Sequence, residues 1–546
     1  MDWQNVAFAR TNVTISVGDW VKVSGLKISG LSLKSVEGTV FVREEFVQLW
    51  DRMQRFITMD DFNGLIVEGP PGVGKSTEVW TWACFVSSQL SKSVFWAHIY
   101  NQRSVFCVQM TDSECRSLRC TLEASKAELA VSSCEIVILD GYREEYGDVY
   151  QDLFAFLDHP QRKACLVTSL AKNLYGDRQD LSQVDKIAVG GWSLTDCKTA
   201  CRDPTFFDEI CPFLDMSQIG KASQTPNSAH GSTDGRSAFI SVEGPKRRRE
   251  SVTEEEINDL IEQKYFYAGG SARWMFTMNV PALKRVIQDH IERVTNFEEV
   301  YNGFHGLRCP TTNHLVISFR DGSSTGMEMR RNFVSKYVAG MLFENCKVNA
   351  FELAYSLARE NKNPSVRGWI QEFDLIDQIK ERKSQCMPLL LKNEGIDETW
   401  LIPGFEEFDP KCTLEVKSEL EQCYWLRPMR WNQAGYDLVR MVKLDESKYI
   451  LQLLQISGAV THDLNLRHFA DLAINVARTM SKETAVEIYV LVPEKMNKPK
   501  LNIQNQLALA HFNVGSGLDK WTGSQILDYI QFRTFKTREK GTLAQQ

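Results

Sequence analysis

The residues best equipped for chemistry lie in one stretch, Gly64 to Trp80, which reads GLIVEGPPGVGKSTEVW. An apolar run, Leu65, Ile66 and Val67, leads into Gly69, Pro70, Pro71, Gly72, Val73, Gly74, Lys75, Ser76 and Thr77, and Gly69 to Ser76 fits G-x-x-x-x-G-K-[ST] at every fixed position. The pattern answers the charge on a nucleotide's phosphates. Glycines turn backbone N–H groups inward and the following helix presents its positive end. Lys75 adds a point charge for the β- and γ-phosphates, and the Ser76 hydroxyl is placed to ligate magnesium. ATP and Mg2+ are therefore the expected cofactors.

Such a loop needs an acid nearby. Cys134 to Gly141 reads CEIVILDG, a buried-strand pattern whose tip presents Asp140 as the second magnesium-associated carboxylate. Glu144 and Glu145 follow, and they either polarise the attacking water or are solvated loop acids. Ala164 to Ser169 reads as another buried strand, with Thr168 or Ser169 beside the γ-phosphate unless they only cap the next helix. Further on, the turn in YFYAGGSARW places Arg273 in the first turn of a helix. Arg273 there either reaches back to the nucleotide or is a surface residue after a tight turn.

These residues have to be positioned by alternating strands and helices. The expected fold class is α/β: a P-loop NTPase parallel sheet with a helical lid, followed by a second α/β domain. Residues 1–45 read as a small lead-in of short strands, with no chemistry assigned, and 46–185 as the nucleotide core. The core opens on a helix from Glu44 to Ile57 with Phe46, Leu49, Trp50, Met53 and Phe56 on one face. Residues 186–285 form the lid, in which a Ser/Gly-rich insertion at about 216–253 is expected to be disordered. It carries the basic cluster Lys246, Arg247, Arg248 and Arg249, a pattern read by nuclear-import machinery. Residues 286–360 read as a helical linker region, 361–515 as the second domain and 516–546 as a solvated tail.

A net charge of −7 excludes a surface coated in positive potential, so any nucleic-acid contact must be local. The 14 cysteines stand singly with no C-x-x-C pair, the usage of a reducing compartment. Neither a signal peptide nor an apolar run long enough to span a bilayer is expected.

The succession GPPGVGKST, VILD, the GWS of Gly191 to Ser193 and YFYAGGSARW resembles the ATPase module of Crinkler effectors and the related retrotransposon-hot-spot proteins. The resemblance covers residues 40 to 500 or so, and the glycine-glycine-serine-x-arginine turn is its most specific piece. It implies that the ATPase is followed by a restriction-endonuclease-like domain. The LFLAK-like header usual at the front of Crinkler effectors has no counterpart here, which puts export by that route in question.

The second half has matching patterns. Leu438 to Val442 and Tyr449 to Ser457 read as a hairpin, with Gln455 and Ser457 projecting from one face and Asp437 able to lie beside them. A helix from Asn465 to Met480 and a strand from Val486 to Val492 follow. Carried over from the resemblance, Glu372 is the helix acid, Asp437 the main metal ligand and Gln455 the occupant of the E-x-K acid position, all expected to hold magnesium. The lysine position falls on Ser457, which carries no charge; Lys448, His462 or an arginine is the expected substitute.

The expected function is an effector or toxin-like ATPase whose nucleotide state controls a nuclease-like domain acting on DNA in a host nucleus. The rival is a nucleotide-switched protein whose degenerate nuclease fold binds DNA or a host nuclear protein without cutting. A third reading is a housekeeping ATPase. Expected partners are ATP, DNA, host nuclear proteins and a second copy of the chain, with no membrane.

Overall fold

The computed structural model describes residues 3–6, 15–32, 35–59, 62–142, 162–169, 184–214, 252–294, 312–320, 329–345, 364–383, 388–408, 423–428, 436–445, 448–458, 461–480, 483–505, 509, 513–514, 519–520 and 530–536. The chain divides into two compact units, Met1–Ser335 and Lys336–Gln546, each of mixed α/β structure. The division falls inside the segment expected as a linker.

In the first unit, β1 (Gln4–Asn5) joins the main sheet, while β2 (Trp20–Ser24) and β3 (Glu37–Phe41) pair with each other as a hairpin. Helix α1 (Glu44–Thr58) buries Phe46, Leu49, Trp50, Met53 and Phe56, the stripe visible in the sequence. Strand β4 (Gly64–Glu68) runs through the glycine loop into α2 (Lys75–Gln89). Then come β5 (Val94–Asn101), β6 (Ser104–Met110), β7 (Cys115–Cys120), α3 (Leu122–Val131), β8 (Ile136–Tyr142), β9 (Lys163–Thr168) and β10 (Val184–Ala188).

The order across this eight-stranded sheet is β1, β7, β6, β5, β8, β9, β4, β10. From β5 to β10 all neighbours are parallel, and β6, β7 and β1 extend the sheet antiparallel. The sheet is thus mixed rather than parallel as expected. Only Gln102 and Arg103 separate β5 from β6, and two residues close a hairpin but cannot make a parallel crossover.

Helices α4 (Leu194–Ala200), α5 (Pro204–Ile210), α6 (Glu254–Ala268), α7 (Ala272–Thr277), α8 (Val280–Glu292) and α9 (Thr312–Leu315) follow, then the hairpin of β11 (Val316–Arg320) and β12 (Met329–Phe333). Ser193 and Thr253 close capping boxes with Asp196 and Glu256, which satisfies otherwise orphaned N–H groups and starts α4 and α6 where the hydroxyls stand. Glu144, Glu145, the basic cluster Lys246–Arg249 and nearly all of the expected insertion lie outside the described residues.

The second unit begins with α10 (Lys336–Asn345), α11 (Pro364–Lys383), β13 (Leu389–Asn393), β14 (Ile396–Trp400), β15 (Phe405–Phe408) and β16 (Cys423–Pro428). The expected hairpin follows as β17 (Leu438–Lys443) and β18 (Lys448–Ile456), antiparallel with Leu438 opposite Leu454. After β19 (Thr461–Asn465), helix α12 (Leu466–Met480) crosses over to β20 (Glu483–Pro493), which lies parallel to β18. Strands β21 (Lys500–Gln504), β22 (Asn513–Val514), β23 (Asp519–Lys520) and β24 (Ile530–Phe535) complete the unit.

The main path of the ten-stranded sheet is β14, β13, β24, β20, β18, β17, β16, β15. Strand alternation splits its core in two. Leu451 and Leu453 cluster with Phe469, Leu472, Ala473 and Val476 of α12, while Leu454 and Ile456 cluster with Leu375, Ile376 and Ile379 of α11. The two helices therefore cover opposite faces.

Helix α11 starts at Pro364 rather than Ile370, because proline at a first helical position costs no hydrogen bond. The segment expected as a solvated tail contributes β24, parallel to β20 and antiparallel to β13, with Ile530 and Phe535 buried. Its basic character does not prevent burial, since the Arg533 guanidinium donates to Glu398 and lies 5.2 Å from the Tyr489 ring centroid. Among the described residues no helix is long and apolar enough to cross a membrane.

Phe535→Ala removes a ring that is 2% exposed inside the α11-facing core, and is expected to cost the second unit about 3–5 kcal/mol. The change should be read as a lower urea midpoint; an unchanged midpoint would mean that β24 is not part of the cooperative core.

Candidate functional site

In the first unit the candidate residues meet where β4, β8 and β9 end. Gly74 caps α2 at φ 111°, a conformation open to glycine, and a side chain on Gly69 would sit 2.4 Å from the Val189 carbonyl oxygen. The chain can therefore turn tightly and start α2 at Lys75. The Lys75 Nζ donates to the carbonyl oxygens of Gly69 and Pro70, at 2.8 Å each. Burial lowers the Lys75 pKa to about 8, with Asp140 opposing the shift and the nearby Arg273 charge adding to it.

The Ser76 hydroxyl donates to Asp140 Oδ1 at 2.7 Å, so the serine and the acid stand side by side as expected. Asp140 is 1% exposed, and its second oxygen lies 2.6 Å from His98 Nδ1. His98 on β5 is the cross-strand partner of Asp140 on β8. Thr168 ends β9 in register with Glu68 on one side and Tyr142 on the other, which brings its buried side chain to the same sheet edge. Arg273 is joined to the loop through its backbone, its N–H donating to the Gly72 carbonyl at 3.1 Å, and its side chain is exposed.

No local pattern signals what holds the loop from behind. Arg43, fully buried, donates to the Val73 carbonyl at 3.2 Å, to Glu78 Oε1 at 3.0 Å and to the Gly190 carbonyl at 3.4 Å, with Trp192 5.0 Å below its guanidinium. Trp192 also donates its indole N–H to Val73, and its backbone N–H donates to the Gly270 carbonyl. The glycine-glycine turn and the glycine loop are thereby tied to the same tryptophan. Burial raises the Glu78 pKa, and Arg43 opposes this.

In the second unit Glu372 on α11 and Asp437, just before β17, fall within one charge cluster. Gln455 Nε2 donates to Asp437 Oδ2 at 2.5 Å, and the Ile456 N–H donates to the same oxygen at 2.8 Å. Burial and the Asp437 charge raise the Glu372 pKa, while burial raises that of Asp437. Asp437 and Gln455 are in contact, and Glu372 is close enough for the Asp437 charge to act on it.

Ser457 follows β18, buried, with its N–H donating to the Leu491 carbonyl. Of the expected substitutes for the missing lysine, Lys448 and His462 stand apart from Gln455, while an arginine, Arg427, acts on the acid pair. Lys448 begins β18, roughly 23 Å along the strand from Gln455 at 3.3 Å per residue, and His462 lies on β19 in a separate two-stranded sheet. Arg427 acts on both carboxylates but lies 3.3 Å from Glu407. A cation in direct contact with Glu372 is Lys336, from the first turn of α10, with Nζ 2.7 Å from Glu372 Oε2. Its position far upstream of Glu372 left no local signal.

Two carboxylates and a glutamine amide that donates to one of them would suit a hard cation that keeps several waters, rather than a closed metal cage. Among the described residues no three His, Cys, Asp or Glu side chains converge on a common point. No protein-family model matches the chain, and no curated protein matches it.

Arg43→Met would leave Glu78 buried without its cation and is expected to destabilise the first unit by about 3–5 kcal/mol. Adding Glu78→Leu should recover much of the loss, read as thermal midpoints of the two variants; equal midpoints would exclude charge imbalance as the cause.

Proposed function

We propose that the chain is an ATP-hydrolysing protein whose nucleotide state controls a nuclease-like second unit acting on DNA, the combination seen in Crinkler effectors and retrotransposon-hot-spot proteins. The observation that carries the reading is the 2.7 Å hydrogen bond from Ser76 to Asp140, directly after a glycine loop closed by Lys75. A hydroxyl and a carboxylate side by side fit magnesium, which usually takes few protein ligands and fills its octahedron with water and phosphate oxygens. When bound, the ion neutralises charge on the β- and γ-phosphates.

The strand order supports the same reading. Strand β9 lies between β4, which leads into the loop, and β8, which ends in the acid, and this extra strand is what sets additional-strand P-loop ATPases apart. In this scheme Lys75 releases its loop carbonyls to meet phosphate, Thr168 stands beside the γ-phosphate and Arg273 reports its presence. Magnesium at Glu372, Asp437 and Gln455 would serve the second unit, whose hairpin, crossover helix and parallel strand match the order of a restriction-endonuclease-like core. Action in a nucleus rests on the basic cluster Lys246–Arg249.

One observation favours the non-cleaving rival. The Asp437 Oδ2 already accepts two hydrogen bonds, and Gln455 adds no negative charge, which leaves a weaker metal site than three acids would make. A domain of this kind would hold DNA or a host nuclear protein.

Lys75→Ala and Asp140→Asn are each expected to lower ATP turnover by about 100-fold or more, measured as phosphate release in magnesium. Asp437→Ala is expected to leave turnover intact and to abolish nicking of supercoiled DNA in magnesium or manganese. Wild-type protein that binds no ATP would overturn the whole reading; turnover without any nicking would leave the binding rival.

A further inference from the structure

Ser457 cannot supply the positive charge that an E-x-K pair brings to a phosphodiester, yet the second unit places a lysine against Glu372, one of its two carboxylates, by another route. We propose that Lys336 is the catalytic lysine of this site, delivered by helix α10, and that its ammonium meets a phosphate oxygen of the bound nucleic acid. The proposal rests on the nuclease-like reading above.

Three observations carry it. The first is contact: Lys336 Nζ lies 2.7 Å from Glu372 Oε2, on a side chain 20% exposed, so the ammonium belongs to the site and is not a swinging surface charge. The second is electrostatic: the charge of the same ammonium opposes the upward pKa shift that burial gives Asp437 as well as that of Glu372. The third is its place in the helix. Lys336 is the first residue of α10, and a cation there opposes the positive end of the helix dipole.

A residue set against its local preference calls for a compensating contact, and the ion pair with Glu372 provides it. Stability alone does not explain the arrangement, because apolar groups commonly replace a buried ion pair without loss. Chemistry does explain it. A phosphodiester gains negative charge at its non-bridging oxygens as the attacking oxygen arrives, and an ammonium held in place by a buried carboxylate stabilises that charge without having to reorganise.

The test uses the full chain. Cleavage of a supercoiled plasmid is followed in manganese for wild type, Lys336→Met, Lys336→Gln and Lys336→Arg, and affinity for a fluorescent duplex is measured in calcium. Lys336→Met and Lys336→Gln are expected to lose about 100-fold or more in cleavage rate, with duplex affinity within about threefold of wild type. Lys336→Arg keeps the charge and is expected to retain cleavage within about tenfold of wild type.

Lys336→Gln can still donate a hydrogen bond to Glu372, so it decides the question should Lys336→Met fail to fold. Cleavage by Lys336→Gln within about threefold of wild type would overturn the role of the lysine and leave the nuclease reading standing. A parallel loss of duplex affinity and cleavage in all three variants would make Lys336 a structural residue and overturn the proposal. No cleavage by the wild type under any metal would overturn both.

Discussion

The first unit depends on one carboxylate having two neighbours. Asp140 accepts from Ser76 through one oxygen and faces His98 through the other, so its orientation is fixed from the loop side and from the next strand at once. A carboxylate held this way loses little freedom when a cation arrives, which is the general advantage of a preorganised ligand. The strand order makes the double contact possible. Strand β5 lies beside β8 and carries His98 in register with Asp140, while β4 feeds the loop from two places along the sheet.

The second unit solves a harder electrostatic problem. Glu372 and Asp437 are drawn together under burial, and each is disfavoured as an ion by its surroundings. Lys336 and Arg427 offset this from two other elements, and the Ile456 N–H and the Gln455 amide hold one oxygen of Asp437. Burying that many polar groups at one spot is expensive compared with a plain apolar contact, and such clusters occur at functional sites and in structural ion-pair networks alike. The apolar work of the fold is done elsewhere, on the two faces covered by α11 and α12.

What could be read from the sequence followed strength of local pattern. Helix α1, the glycine loop, the hairpin of β17 and β18 and the stripe of α12 all announce themselves within a few residues, and each stands where the pattern places it. The antiparallel extension was not legible as a change of direction, since β6 has the same apolar run in either orientation. Strand β7 has only Cys115, Leu118 and Cys120 to bury, and β24 hides its strand character behind Arg533. The contacts of Arg43, His98 and Lys336 were out of reach for a different reason. Each joins residues far apart in the chain, and a single sequence records no such pairing.

Arg43 carries one practical consequence. It precedes α1, within what reads as an inert lead-in, yet it binds the back of the glycine loop at Val73 and neutralises Glu78 inside α2. Any shortened version of the nucleotide unit has to begin upstream of this arginine; a fragment started at the first apolar residue of α1 would keep every motif residue and lose the brace beneath them.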